Sequence, residues 1–232
     1  MDDRRVLERR EGDLGDQVDR IAAEFRQGFE AVARIGRPGV TIFGSARVGE
    51  EHEAYELARR TGRLFAAAGF AVVTGGGPGL MEAANRGARE GGGVSIGFNI
   101  DLPHEQQTND FLDIAVTFNH LYARKTMLVK ASEGFVLFPG GFGTLDELFE
   151  ALTLIQTGKV LHFPVVLVGR AYWAGLLEWI EERLLGEGMI SPEDEELLFV
   201  TDEPADAVRI VLDCYERRCA ELEAEPAKAD AQ

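Results

Sequence analysis

Two cysteines are all that the 232 residues contain. Cys214 and Cys219 fall late in a predicted C-terminal helix and point to different faces of it. No His or Cys lies nearby in sequence, so neither a disulfide nor a metal site is built on them. Positive charge is scarce as well: 24 Lys and Arg stand against 40 Asp and Glu, a formal net charge of −16. General nucleic-acid binders and anionic-membrane binders need clustered basic charge, so both classes recede. The acidity reads first as solubility, and a small phosphorylated ligand stays open because a pocket can be locally positive in an acidic chain. No run reaches the roughly 18 apolar residues of a membrane span. Met1-Asp-Asp-Arg-Arg5 leads into charged sequence without an apolar signal core, so a cytoplasmic location is expected. The G-x-x-x-x-G-K-[ST] phosphate loop is missing, which sets aside the nucleoside triphosphatases that use it.

What is present is a chain 45% hydrophobic, long enough to bury one α/β core without metal or disulfide staples. Residues 1–36 read as an extension. Their apolar positions Val18, Ile21, Phe25, Phe29 and Val32 step by three or four, one stripe of an amphipathic helix. That stripe packs on its own domain or on a partner subunit. Arg37-Pro-Gly39 ends it. From there short apolar runs alternate with helical stretches. Strands are predicted at 40–43, 71–74, 94–98, 114–118, 134–138 and 165–168. Helices are predicted at 52–68, 80–90, 121–131, 145–155, 173–185 and 205–218. This alternation implies right-handed βαβ units in one domain, 37–220: a doubly wound, mainly parallel sheet with helices on both faces. The stretch after Leu185 is acidic, and 221–232, rich in Ala and charge, is expected to be disordered.

In such sheets, ligands bind at the carboxyl ends of the strands, where the topology reverses. Each glycine-rich segment lies at such an end. Gly75-Gly-Gly-Pro-Gly79 follows the second strand. A dinucleotide fingerprint needs G-x-G-x-x-G, and Leu80 occupies the third glycine position, so that reading is weak. What remains is a glycine turn, including Gly76 and Gly77, that lets a ligand approach the backbone and feeds a helix N-terminus. A tight connection with no ligand is the competing reading.

Pro139-Gly-Gly-Phe-Gly-Thr-Leu-Asp-Glu147 repeats the device. A helix N-terminus with bare N–H groups is a ready anion site. Thr144 and Glu147 are spaced as a capping box, a structural alternative that competes for the same carboxylate. If Glu147 instead points into the crevice, the helix N-terminus favours its ionised form, which suits a base or a stabiliser of positive charge. Arg124 and Lys125, one strand upstream, can face the same edge, and an Arg there can fork onto phosphate.

Arg124-Lys125 with Pro139-Gly-Gly-Phe-Gly-Thr-Leu-Asp-Glu147 resembles the signature of the LOG ("lonely guy") family, P-G-G-x-G-T-x-x-E with an upstream R-K. These are cytokinin-activating phosphoribohydrolases long labelled lysine decarboxylases. Gly75–Met81 and Gly44-Ser45 are similar to the family's other glycine segment and first strand end. The resemblance spans about residues 40–168. It implies a Rossmann-like fold and hydrolysis of a nucleoside 5′-monophosphate, AMP or an N6-modified AMP, to free base and ribose 5-phosphate. It also implies homodimers or higher homo-oligomers and no metal or organic cofactor. Matched position by position, Glu147 and Arg124 become the catalytic pair. Gly140, Gly141, Gly143 and Thr144 become the phosphate-binding turn, joined by Gly76 and Gly77, with Ser45 and Lys125 as further substrate contacts. Glu82-Ala-Ala-Asn85 departs from plant-type members, which puts the base preference in question. A pyridoxal-dependent decarboxylase would need a Schiff-base lysine; Lys125, Lys130, Lys159 and Lys228 are the only four, and none sits in an evident cofactor pocket. His120 and Glu82 are the candidates for protonating the departing base. The competing class is a non-catalytic carrier of a phosphorylated ligand such as molybdenum cofactor.

Overall fold

The computed structural model describes residues 14–102, 108–161 and 163–224. The elements run in chain order as α1 (Leu14–Ala33), β1 (Gly39–Phe43), α2 (Glu53–Ala67), β2 (Ala71–Thr74), α3 (Leu80–Glu90), β3 (Ser95–Ile100), β4 (Ile114–Phe118) and α4 (Leu121–Lys130). There follow β5 (Phe135–Leu137), α5 (Phe142–Gln156), β6 (Val165–Val168), α6 (Arg170–Trp179), α7 (Pro192–Glu195), β7 (Leu198–Thr201) and α8 (Pro204–Ala224). The seven strands form one parallel sheet in the order β4-β3-β2-β1-β5-β6-β7. The chain winds outward from β1 to β4, returns to lay β5 against β1, and winds outward again. The topology therefore reverses between β1 and β5, which pair from Thr41↔Phe135 to Phe43↔Leu137.

The inner strands are fully buried, and their side chains alternate between two cores. Val40, Ile42, Val72, Val136 and Val166 face a core closed by α2, α3 and α8. Phe43, Val73, Phe135, Leu137 and Leu167 face the other, which α1, α4, α5 and α6 close. Each fully buried Val, Leu, Ile or Phe contributes about 1.5–3 kcal/mol by leaving water, so two-sided burial is the main source of cohesion. This is the doubly wound α/β domain expected, in one body.

Several expectations needed adjustment. The acidic stretch after Leu185 holds α7 and the edge strand β7, neither of which was anticipated. The helix expected at 173–185 begins at Arg170 and passes into a π-helical turn at Ile180–Leu185. The last helix, expected at 205–218, continues to Ala224, so 221–224 of the expected disordered tail are helical; the rest of that tail lies outside the described residues. The N-terminal helix packs on its own domain against α4 and β4. The face it buries is Glu24, Gly28 and Ala31, whereas Val18 and Phe29 of the predicted stripe stay exposed. Among the described residues no helix is long and apolar enough to cross a membrane.

Candidate functional site

At the switch point, the end of β1 ties both glycine turns together through its backbone. Ser45 N–H donates to Pro139 O at 3.0 Å, and Leu80 N–H donates to Ser45 O at 3.0 Å. A cleft of about 1120 Å³ opens there, lined among others by Ser45, Gly77, Arg124, Gly141, Thr144 and Glu147. No lysine lines it.

The capping box expected of Thr144 and Glu147 does not form. Helix α5 starts three residues earlier than expected, with Gly141 as N-cap and no side-chain cap. Thr144 is instead buried, its Oγ1 lying over Gly140 where a Cβ would be. The first amides to turn into the helix are those of Thr144 and Leu145, both donating to Gly141 O. The N–H groups of Gly141, Phe142 and Gly143 have no backbone partner among the described residues. Nothing lies within 4 Å of the place a Cβ would take at Gly141 or Gly143. The turn is bare backbone at a helix start, open on the side a ligand would use. Phe142 between them is 92% exposed.

Glu147 lines the cleft at 6% exposure, and its Oε2 has no hydrogen-bond partner among the described residues. Burial pushes its carboxyl up to about 7, against the opposing pull of Lys125 and Arg124. Desolvation thus overrides the helix N-terminus, which was expected to keep this group ionised. At neutral pH the carboxyl is poised between its two forms.

Arg124 comes from the first turn of α4, and its Nε donates to Phe98 O at 2.8 Å. A side chain at Gly75 would strike its Nη2, so only glycine lets the guanidinium lie across that turn. Burial lowers its basicity and Glu147 opposes the shift; a guanidinium stays charged in either case. Lys125 is directed elsewhere: its Nζ pairs with Asp146 at 2.9 Å and Glu150 at 3.0 Å, carboxylates one residue before and three residues after Glu147.

The turn after β2 is built differently. Gly76, with φ +71, donates to Thr74 Oγ1 at 2.9 Å and accepts from Asn109 N–H at 2.9 Å. Asn109 Nδ2 donates to Gly77 O and to Asn85 Oδ1, each at 3.0 Å. Asn99, with its amide NH₂ turned to the loop, donates to Gly75 O at 2.8 Å and Gly76 O at 3.2 Å. Asn85, where this sequence departs from plant-type members, is therefore a fully buried brace of the turn. It is not among the residues lining the cleft.

Neither candidate for protonating a leaving base lines the cleft. Glu82 accepts from Tyr55 Oη at 2.9 Å, and His120 is buried against Glu24. Residues that sequence reasoning passed over do line it: Arg47, His52 and Tyr172. Tyr172 Oη donates to Gly140 O at 2.5 Å and so anchors the open turn from α6. The available signal was position, because Tyr172 follows the carboxyl end of β6 on the same sheet edge. Among the described residues no group of three His, Cys, Asp or Glu side chains is placed to hold a metal ion.

A doubly wound parallel sheet with an open helix N-terminus and a buried carboxylate at its switch point defines a class of small-ligand α/β proteins. Within that class, a family model described as "possible lysine decarboxylase" matches residues 81–211, and the chain belongs to this family, the LOG family. A cytokinin riboside 5′-monophosphate phosphoribohydrolase of Mycobacterium tuberculosis is 35% identical over 161 residues, covering 68% of this chain and 84% of the relative. A probable enzyme of the same name from Oryza sativa subsp. japonica is 30% identical over 171 residues, 72% of this chain and 68% of the relative. The molybdenum cofactor carrier protein of Chlamydomonas reinhardtii is similar in structure, with a TM-score of 0.59 and 26% identity over 78% of this chain and 99% of that one.

Proposed function

We propose that this protein hydrolyses the N-glycosidic bond of a nucleoside 5′-monophosphate, AMP or an N6-modified AMP, releasing free base and ribose 5-phosphate. The observation that carries the reading is the pairing of opposites in one cleft: bare N–H groups at the start of α5 and, within its first two turns, the buried carboxyl of Glu147. The 5′-phosphate binds to the amides of Gly141, Phe142 and Gly143, with Arg124 as its charged clamp, which fixes the sugar in place. As the C1′–N bond lengthens, its electron pair leaves with the base and positive charge grows on the ribose. Ionised Glu147 faces that charge in a dry site where its effect is strong. A water oxygen bonds to C1′ and its proton passes to Glu147; the departing base takes a proton from solvent and Glu147 releases one to it, so one water is consumed. A carboxyl poised near pH 7 accepts and returns that proton at low cost.

The carrier reading draws on the likeness to the Chlamydomonas carrier protein. A carrier needs the anion end of this site but has no use for a buried carboxyl poised near neutrality, so the enzyme reading stands first. The test is to incubate the purified protein with a panel of nucleoside monophosphates and assay free base and ribose 5-phosphate. Turnover is expected, with a loss of at least about a hundredfold in Glu147→Ala. Tight binding without base release by the unaltered protein would transfer the assignment to the carrier.

A further inference from the structure

Helix α1 lies outside the stretch that the family model matches, yet it reaches the helix that bears Arg124. Its Glu24 is 8% exposed. One oxygen of that carboxylate accepts from Asn119 N–H at 3.2 Å and from Asn119 Nδ2 at 2.7 Å; the other accepts from His120 N–H at 3.2 Å. His120 Nδ1 lies 3.1 Å from the second oxygen. Burial alone would raise the Glu24 carboxyl, but the bonds from Asn119 and His120 outweigh it and hold it below its usual range. His120 is the N-cap of α4 and supplies no side-chain cap of its own. A carboxylate from a distant helix therefore holds the two backbone amides that lead into α4, and its charge lies at the positive end of that helix. One turn on, Arg124 N–H donates to the carbonyl of the same His120, at 3.2 Å. Beyond Arg124 the two helices touch again. A Cβ at Gly28 of α1 would lie 2.6 Å from Met127 Cγ and 2.7 Å from its Sδ, so the Met127 side chain packs directly on the α1 backbone there. Arg124 is thus bracketed along α4 by two contacts with α1.

We propose that Glu24 is a positioning residue for Arg124: it fixes the N-terminus of α4 and through it the guanidinium that clamps the substrate phosphate. The inference rests on the reading of Arg124 as a ligand-binding residue. It gives the N-terminal extension a role in the site, and the peptide bond of His120 carries the coupling.

Two measurements test it on the full chain. The first needs no ligand: hydrogen exchange at Arg124 Nε–H, which its bond to Phe98 O protects, should speed up in Glu24→Ala. The second is a double-mutant cycle read as the dissociation constant for AMP, with kcat and KM where turnover occurs. Glu24→Ala should weaken AMP binding about tenfold when Arg124 is present and less than about twofold in Arg124→Ala. Glu24→Gln, which keeps the shape and one acceptor oxygen, should give a smaller loss with the same dependence, and it replaces the alanine variant if that variant does not fold. Unchanged protection of Arg124 Nε–H, or an equal loss of affinity with and without Arg124, would overturn the proposal. If the unaltered protein binds AMP without releasing base, the hydrolase reading fails while the cycle still decides the role of Glu24. If AMP does not bind, the exchange measurement decides it.

Discussion

The two glycine turns at the switch point look alike in sequence and are built to opposite plans. The turn after β2 is filled: Asn85, Asn99, Asn109 and Thr74 bond to its backbone or to one another, and the Arg124 guanidinium covers Gly75. The turn after β5 is open, with three amides lacking backbone partners and one carbonyl anchored by Tyr172. Buried polar backbone must be satisfied from within, and exposed backbone at a helix start can wait for a ligand. The same glycine-rich spelling therefore builds a braced turn in one place and leaves bare, open backbone in the other.

Matched glycine substitutions can break that contrast. Gly76→Ala forces a side chain into a positive φ and against Asn99, and should cost about 2–3 kcal/mol in denaturant unfolding. Gly141 has φ −93, which any residue adopts, and open space above it. Gly141→Ala should leave stability within about 0.5 kcal/mol while weakening AMP binding about tenfold through blocked backbone approach. Equal effects of the two substitutions on stability would erase the distinction between the turns.

Glu147 sharpens the contrast further, since it is the group of the open turn whose burial is least repaid. Its carboxyl titrates at about 7 in the folded protein against 4.5 unfolded. A raised carboxyl contributes full stability below the unfolded value and loses it as pH rises through the folded one. Fully ionised, the group costs on the order of 3 kcal/mol, and a buried amide takes back part of the relief. Glu147→Gln should therefore gain about 1–2 kcal/mol at pH 8, a melting point some degrees higher, and little at pH 4, while turnover disappears. In the unaltered protein kcat/KM should fall as pH drops below about 7. A melting point of the Gln variant that tracks the unaltered protein at both pH values would remove the strain ascribed to Glu147.

The smallest effect concerns Lys125. Its ammonium lowers the Glu147 carboxyl directly and also covers Asp146 and Glu150, whose charges raise it. Lys125→Met should move the acid limb of kcat/KM to higher pH with little change in KM. A large rise in KM with an unmoved pH profile would restore Lys125 as a substrate contact.

Much of the fold was legible, because parallel strands buried on both faces spell continuous apolar runs. The runs at 71–74, 114–118 and 165–168 are strands to the residue. β7 was not legible: as an edge strand it is only partly covered, and Leu198–Thr201 follows an acidic stretch that reads as tail. In the site, the glycines, Arg124 and Glu147 announced themselves by local spacing. Asn99, Asn109, Tyr172 and Glu24 did not, because each acts on a turn or helix far from it in sequence. The titration of Glu147 was misjudged for a related reason. A helix N-terminus is local and readable, whereas desolvation belongs to the assembled core.

The position of β1 has a further consequence, for the order of events during synthesis. β1 is the first of the seven described strands to be made and the centre of the finished sheet, yet its partner on one side, β5, follows more than ninety residues later. Until then a strip of unpaired, strongly apolar edge along Val40–Phe43 waits for the second half of the chain. Non-local pairing of this kind slows folding and exposes an adhesive edge in the meantime. That seam is the one at which the cleft opens, so the cleft cannot exist before β5 has been made and laid against β1.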